Sequence, residues 1–392
     1  MLDQIKASLC AAPAARSRRS KAEMGYYDII RSAFPMDSFP ICRLIACFAG
    51  VAAACAPSAF SATITDLGTL GGSSSYAYGI NNKGEVVGYI FAPGSTHAFL
   101  YSGGTMTDLG TLNGYATYAQ SINDAGQIVG YAIGPSSTDH AFEYSGGNMT
   151  DLGTLGGSSS DAYAINNAGQ IVGGSAVASH AEHAFLYSAG NMSDVNVLGA
   201  SSSIAQSIND AGQIAGRASS GPRAFLFSGS SAIDLGTLGG SYAYANDINN
   251  AGQVVGYSAT VKNVSHAFLY SSGNMIDLGT IGGAFSFAYS INDSGQVVGY
   301  ATTPSDVDHA CLYTGGTLVD LNSLLLPNSG WELQVATGIN NSGQIAGFGT
   351  INGRTHAFLL DTSVPEPAPA LLLAVGTGVL ALLRKARRRQ GW

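Results

Sequence analysis

Ala119-Gln120-Ser121-Ile122-Asn123-Asp124-Ala125-Gly126-Gln127-Ile128-Val129-Gly130-Tyr131 reads as two short strands around a tight turn. Ile and Val at 122, 128 and 129 fit a pleated, half-buried surface. Asn123-Asp124-Ala125-Gly126 ends on a glycine that can take the left-handed conformation such a turn requires. The stretch is one of seven. Ala-x-x-Ile-Asn recurs with Ile80, Ile122, Ile165, Ile208, Ile248, Ile291 and Ile339. One glycine follows each Asn (Gly84, Gly126, Gly169, Gly212, Gly252, Gly295, Gly343), and a second comes four residues later (Gly88, Gly130, Gly173, Gly216, Gly256, Gly299, Gly347). Self-similarity at a fixed period of about 43 residues decides the architecture before any single residue does.

Working outward, each unit continues into His-Ala-Phe-Leu-Tyr or a variant, at His97, His140, His183, Arg223, His266, His309 and His356. Asp-Leu-Gly or a variant follows, at Asp66, Asp108, Asp151, Asp194, Asp234, Asp277 and Asp320. The reading is four strands per unit: Ala-x-x-Ile-Asn, Gln-Ile-Val-Gly-Tyr, Ala-Phe-Leu-Tyr and Met-Thr-Asp-Leu-Gly. Four strands in a repeat of this length predict a propeller blade; a β-solenoid, the alternative, has shorter turns. The phase of the repeat predicts closure. The body opens on a lone fourth strand, Ile64–Gly68, and ends on a third strand, Ala357–Leu360. The first strand can therefore complete the last blade and leave no edge open. The expected fold is all-β: a seven-bladed propeller over residues 62–363, closed by its N-terminal strand, with a short apolar helix near the C-terminus.

Spacing separates the two faces of the disc. From Asp to the next Ile is 14 residues in six units and 19 in the last. The second Gly and the His position are separated by 7 to 10. The variable connections are those from strand two to three and from strand four to the next strand one, and in a meander both lie at one end. Loops that vary on a rigid scaffold are where binding is expected. The insertion Asn322–Trp331, with the only tryptophan of the body, lies at that end and is a candidate binding loop.

These units resemble the HAF repeat of bacterial extracellular proteins over nearly all of residues 62–361. The resemblance implies an extracellular setting and no defined chemistry. Unit four departs from it, with Asp194-Val195-Asn196 for Asp-Leu-Gly and Arg223 for His; unit six has Cys311 in place of Phe.

The ends differ from the body. Residues 1–35 are basic and irregular and read as an unused upstream start or an unstructured leader. Residues 36–61 read as an export signal: Arg43, an apolar run from Leu44 to Ala54, then Ala59-Phe60-Ser61 as a small-x-small cleavage site. Lipidation at Cys55 is disfavoured by the poorly placed branched residue upstream. At the other end, Val364-Pro365-Glu366-Pro367 is a stiff breaker. Residues 368–383 are an apolar, helix-length segment, and Arg384, Lys385, Arg387, Arg388 and Arg389 would hold its end on the cytoplasmic side. The plain reading is a C-terminal anchor. The order of parts in residues 364–392 resembles the PEP-CTERM sorting signal of Gram-negative bacteria. That resemblance implies an exosortase-type partner, cleavage near Val364–Pro367, transient anchoring in the inner membrane, and delivery to the outer surface or matrix.

Composition limits the function. Charged residues are 11% of the chain. Between residues 62 and 363 there are 5 Lys and Arg against 20 Asp and Glu, a balance of −15. That acidity counts against nucleic acid, whose binding needs basic patches. Cys311 is the sole thiol of the body, so no internal disulfide is expected. His97, His140, His183, His266, His309 and His356 hold one repeat position and would lie far apart around a ring. They read as buried imidazoles bonded within their own blades rather than as metal ligands, with the repeat Asp (Asp66, Asp108, Asp151, Asp234, Asp277, Asp320) as candidate partner. Asp124, Asp210 and Asp293 offer one or two oxygens per turn, where calcium needs several converging. No metal or cofactor is expected. A catalytic site should break the repeat; the off-pattern polar residues are Glu143, Glu182, Arg217, Arg223 and Arg354, and Asp139 with Glu182 precedes a His. Regularity points to a non-catalytic protein that binds matrix glycan or a surface protein by the variable face. The alternative is a polysaccharide lyase or glycosidase, which needs two carboxylates, or Tyr or His with Arg, within reach of one bond.

Overall fold

The computed structural model describes residues 62–362, except 135–137, 196, 220 and 222. The export signal, the 368–383 segment and the sorting residues Val364–Pro367 and Arg384–Arg389 lie outside the described residues. Seven four-stranded antiparallel sheets form the body. Blade one is Ser75–Ile80, Val86–Ala92, Ser95–Ser102 and Thr105–Gly110. The first strands of the following blades are Ala116–Ile122, Gly156–Ile165, Ser203–Ile208, Gly239–Ile248, Ser286–Ile291 and Trp331–Ile339. Each first strand lies against the first strands of its two neighbours, and blade seven meets blade one. First strands therefore line the axis. Among the described residues no helix is long and apolar enough to cross a membrane; one 3-10 turn, Leu321–Leu324, sits in the long connection.

The ring closes as the repeat phase predicts. Thr63–Gly68 pairs antiparallel with Arg354–Asp361, in the register Ile64↔Leu360 and Gly68↔Ala357. Strand one carries a one-residue bulge in every blade, as between Ala119 and Ser121. The bulge explains the second repeat glycine. A Cβ on Gly130 would collide with the Tyr118 carbonyl of the bulged strand, so only glycine lets the two strands approach there.

Among the described residues the apolar core is divided into seven separate clusters. Apolar side chains pack between adjacent blades: Val87 and Ala98 of blade one meet Ile122, Ile128 and Phe142 of blade two. The Phe of His-Ala-Phe is fully buried at Phe99, Phe142, Phe185, Phe225, Phe268 and Phe358. Small hydroxyls pin the junctions. Thr117 Oγ1 of blade two accepts from the Ala98 amide at 3.0 Å and donates to the Gly110 carbonyl at 2.8 Å, both in blade one. Ser160 and Ser286 do the same at later junctions.

Candidate functional site

The repeat histidines are bonded inside their own blades, to the repeat aspartates. Nδ1 of His97, His140, His183 and His309 lies 2.7–2.8 Å from Asp108, Asp151, Asp194 and Asp320. His266 meets Asp277 at 2.8 Å, and His356 meets Asp66 at 2.9 Å across the closure. The repeat aspartates Asp66, Asp108, Asp151, Asp234 and Asp277 also accept the amide two residues on, from Gly68, Gly110, Gly153, Gly236 and Gly279. The imidazoles are half-buried rather than buried, with 19–32% of each side chain exposed. They sit on outer strands, where water reaches one edge of the ring. Off-pattern Arg223 keeps the pair by other means, since its guanidinium lies 3.0 Å from Asp234. Asn322 and Trp331 are also turned to the fold. Asn322 bonds to the Leu333 amide and carbonyl at 2.7 and 2.9 Å, and Trp331 packs edge-on to Phe358.

At the tight-turn end the axis is ringed by hydrogen bonds that repeat counting does not reveal. Each Asn of Ile-Asn is buried. Its Nδ2 donates to the carbonyl of the next blade's Asn at 3.0–3.1 Å, and the chain of donors returns from Asn340 to Asn81. Its Oδ1 accepts two bonds from its own turn: two amides for Asn166, from Ala168 and Gln170, and the Ser294 hydroxyl with the Gln296 amide for Asn292. The next residue forms a second ring, Asn82, Asp124, Asn167, Asp210, Asn250, Asp293, Asn341, with each amide bonded to the following side chain. Amide and carboxylate alternate, so each Asp is flanked by Asn donors. Seven is odd, and the one Asn–Asn junction, Asn341 to Asn82, falls where the ring closes. Among the described residues no three His, Cys, Asp or Glu side chains gather to hold a metal ion.

Further along the axis Asp247 breaks the repeat. It accepts from the Ser207 and Ser290 hydroxyls and from the Ile248 and Ile291 amides at 2.6–2.9 Å, tying blades four, five and six. Burial raises its carboxyl above the ordinary range and the four donors oppose that rise. These partners make it a clamp between blades.

The variable-loop end carries aromatic pairs across strands one and two: Tyr76↔Tyr89, Tyr118↔Tyr131, Tyr244↔Tyr257 and Phe287↔Tyr300. Phe348–Tyr76 at 5.0 Å and Tyr89–Tyr118 at 4.8 Å join edge to face, and Tyr257–Phe287 at 4.8 Å between centroids is tilted. Stacking inside the blades and edge contacts between them make a half-buried girdle around the axis. Six exposed apolar side chains, Leu70, Phe91, Val261, Phe285, Val307 and Leu326, lie at the same end.

The girdle is interrupted in blades three and four, where the corresponding pairs are Asp161↔Gly174 and Ile204↔Arg217. Glu182 fills the place of the missing aromatic: a Cβ on Gly174 would stand 2.6 Å from its Oε1. Arg217 lies over the Tyr244 ring, 5.7 Å from its centroid. A cleft of about 280 Å³ opens here, lined by Glu182, Ser202, Arg217, Ser219 and Tyr244 among others. Asp161 lies within range of the charges of Glu182 and Asp139, and the Oδ1 atoms of Asp139 and Asp161 are buried with no donor among the described residues. Burial, then the charges of Asp139 and Glu182, lift the Asp161 carboxyl to about 7 against a weak pull from the Tyr163 hydroxyl. Burial raises Glu182 too, and Arg217 opposes it. The structure therefore brings Glu182 and Arg217 together, and it adds Asp161, which links Glu182 to Asp139. It separates Glu143, which accepts from Gln127 Nε2 near the tight-turn end, and Arg354, which lies beside Phe91 and Gly71–Ser73. Asp161 had a signal in the sequence: it stands where four other units have Tyr or Phe and the remaining two have Ile204 and Val335.

The fold defines the class, a seven-bladed β-propeller. No family model matches the chain, and no curated protein matches it. Among solved structures, a puromycin-hydrolyzing peptidase of Mycobacterium tuberculosis is similar over 79% of this chain, with 11% identity and a TM-score of 0.50. This chain spans about half, 52%, of the length of that one, and the likeness is one of fold alone. TolB from Acinetobacter baumannii (12% identity, TM-score 0.34, 76% of this chain and 55% of that one) and AofleA from Arthrobotrys oligospora (12%, 0.39, 66% and 87%) also align.

Proposed function

We propose that this is an exported, surface-associated binding protein without catalytic activity, and that its ligand is matrix polysaccharide held at the variable-loop end. The observation that carries the reading is the aromatic girdle. Half-buried tyrosine pairs around one end of the axis offer flat apolar faces and hydroxyls together, the combination that sugar rings need. The acidic body counts against nucleic acid. The sequence of the tail supports an exosortase-type partner and delivery to the outer surface of a Gram-negative cell. The test is a glycan array on the exported protein, followed by titration of the best ligand. Tyr89→Ala and Tyr257→Ala should each weaken binding about tenfold or more, since a lost ring contact is worth on the order of 1–2 kcal/mol. Absence of saccharide binding would sink the reading.

A polysaccharide-active enzyme is the second reading, favoured by one observation. Asp161 and Glu182 are neighbouring carboxylates in different surroundings, which is how acid and base roles are divided. Reducing-end release from the array ligand, lost in Asp161→Asn, would establish it.

A further inference from the structure

We propose that the cleft at the break in the girdle takes the ammonium group of an amino sugar, so that the bound polysaccharide is a deacetylated hexosamine polymer. This rests on the saccharide-binding reading and specifies its ligand.

The break exchanges aromatic for charged chemistry at one place on the ring. Asp139, Asp161 and Glu182 come from three strands of blades two and three; Asp161 feels the charges of the other two, and Glu182 meets the guanidinium of Arg217. That guanidinium is already engaged with the Tyr244 face. The carboxylates are short of donors, because Asp139 Oδ1 and Asp161 Oδ1 have none among the described residues. Buried carboxylate oxygens ordinarily find donors or a counter-charge. Arg217 opposes the charge of Glu182 and His140 that of Asp139, and among the described residues the carboxyl groups at the break outnumber these cations. Tyr131 and Tyr244 border the gap, and tyrosine faces attract ammonium as they attract guanidinium. A neutral sugar would use the aromatic faces and leave the carboxylates uncompensated. A uronate would meet Arg217 but also the carboxylates of Asp139 and Glu182 beside the Asp161 carboxyl. A sugar ring carrying an ammonium uses all of these groups, with Ser202 and Ser219 placed to meet its hydroxyls.

The experiment is calorimetric titration of the full exported chain with three tetrasaccharides: glucosamine, N-acetylglucosamine and galacturonate, at a pH where the amine is protonated. The expected result is at least tenfold tighter binding of the glucosamine tetramer than of its acetylated counterpart. That ratio should fall to within about twofold in the double variant Asp161→Asn, Glu182→Gln, whose fold is checked by its melting curve. Asp308→Asn, the same strand position in blade six, should leave the ratio as it is. Equal or tighter binding of the acetylated tetramer overturns the proposal while the saccharide reading stands. Preference for the uronate overturns it in favour of Arg217 as anchor. No binding by any tetramer, with an empty glycan array, removes both.

Discussion

His356 and Asp66 are 290 positions apart in the chain and 2.9 Å apart in the fold. In five other blades the same pair spans 11 residues. The closing junction therefore uses the chemistry of every other blade, with the partner supplied from the front of the body. Without Thr63–Gly68, the last blade would keep three strands and expose the edge Arg354–Asp361 for pairing with other chains. Deleting residues 62–68 should abolish the single cooperative melting transition and produce oligomers, read by calorimetry and size-exclusion chromatography. Asp66→Ala alone should cost about 1 kcal/mol, because the pair is partly exposed.

The buried Asn ring makes a sharper prediction. Asn166 satisfies two amides of its own turn, the Gln170 side chain and the Asn209 carbonyl of the next blade. Asn166→Ala leaves those groups buried without partners and should cost about 2–4 kcal/mol in denaturant unfolding. Asn167→Asp tests the outer ring. It places a carboxylate between Asp124 and Asp210 and removes two donors. The expected loss is about 1–2 kcal/mol, shrinking with added salt because these groups are exposed.

The blade count, the strand order and the closure were legible in the sequence, because each follows from the period and phase of one motif. The His–Asp pairing was legible as a candidate, since both residues recur at a constant separation of 11. The two rings at the tight-turn end were not. Asn123 and Asn166 make their defining contact 43 residues apart, across blades, and local spacing carries no sign of it. The break in the girdle was half legible. Glu182 and Arg217 stood out as off-pattern, but Asp161 shows its meaning only once the register Asp161↔Gly174 sets it beside Tyr118↔Tyr131. Asn322 and Trp331 drew notice through the length of their insertion, and the bonds that occupy Asn322 come from Leu333 eleven residues on.

Cys311 stands where every other blade buries a phenylalanine. Burial, with the charge of Asp320, pushes its thiol up to about 12, so it stays a small apolar filler. The smaller side chain leaves the junction with blade five underfilled beside Leu278, Ala288 and Tyr313. Cys311→Phe should restore the repeat packing and raise stability by about 1–2 kcal/mol, seen as a higher melting temperature. A lower melting temperature would mean that the neighbours have closed over the space.

Asp161 links the candidate site to pH. Its carboxyl holds a proton in the fold up to about 7, against 3.8 ordinarily. Below about pH 4 the folded and unfolded chains both keep that proton, and the residue does not affect stability. Between 4 and 7 only the folded state retains it, so unfolding releases a proton and stability falls as pH rises. Above 7 the penalty is constant. The gap sets an upper limit of about 4 kcal/mol, and water at the partly exposed side chain reduces it. Asp161→Asn removes the titration and keeps the shape. Its melting temperature should exceed that of the parent at pH 8 by several degrees, with the difference closing steadily toward pH 4. Parallel curves for the two proteins across that range would show that Asp161 ionises as an ordinary carboxylate, and the negative field at the break would then be shared differently among Asp139, Asp161 and Glu182.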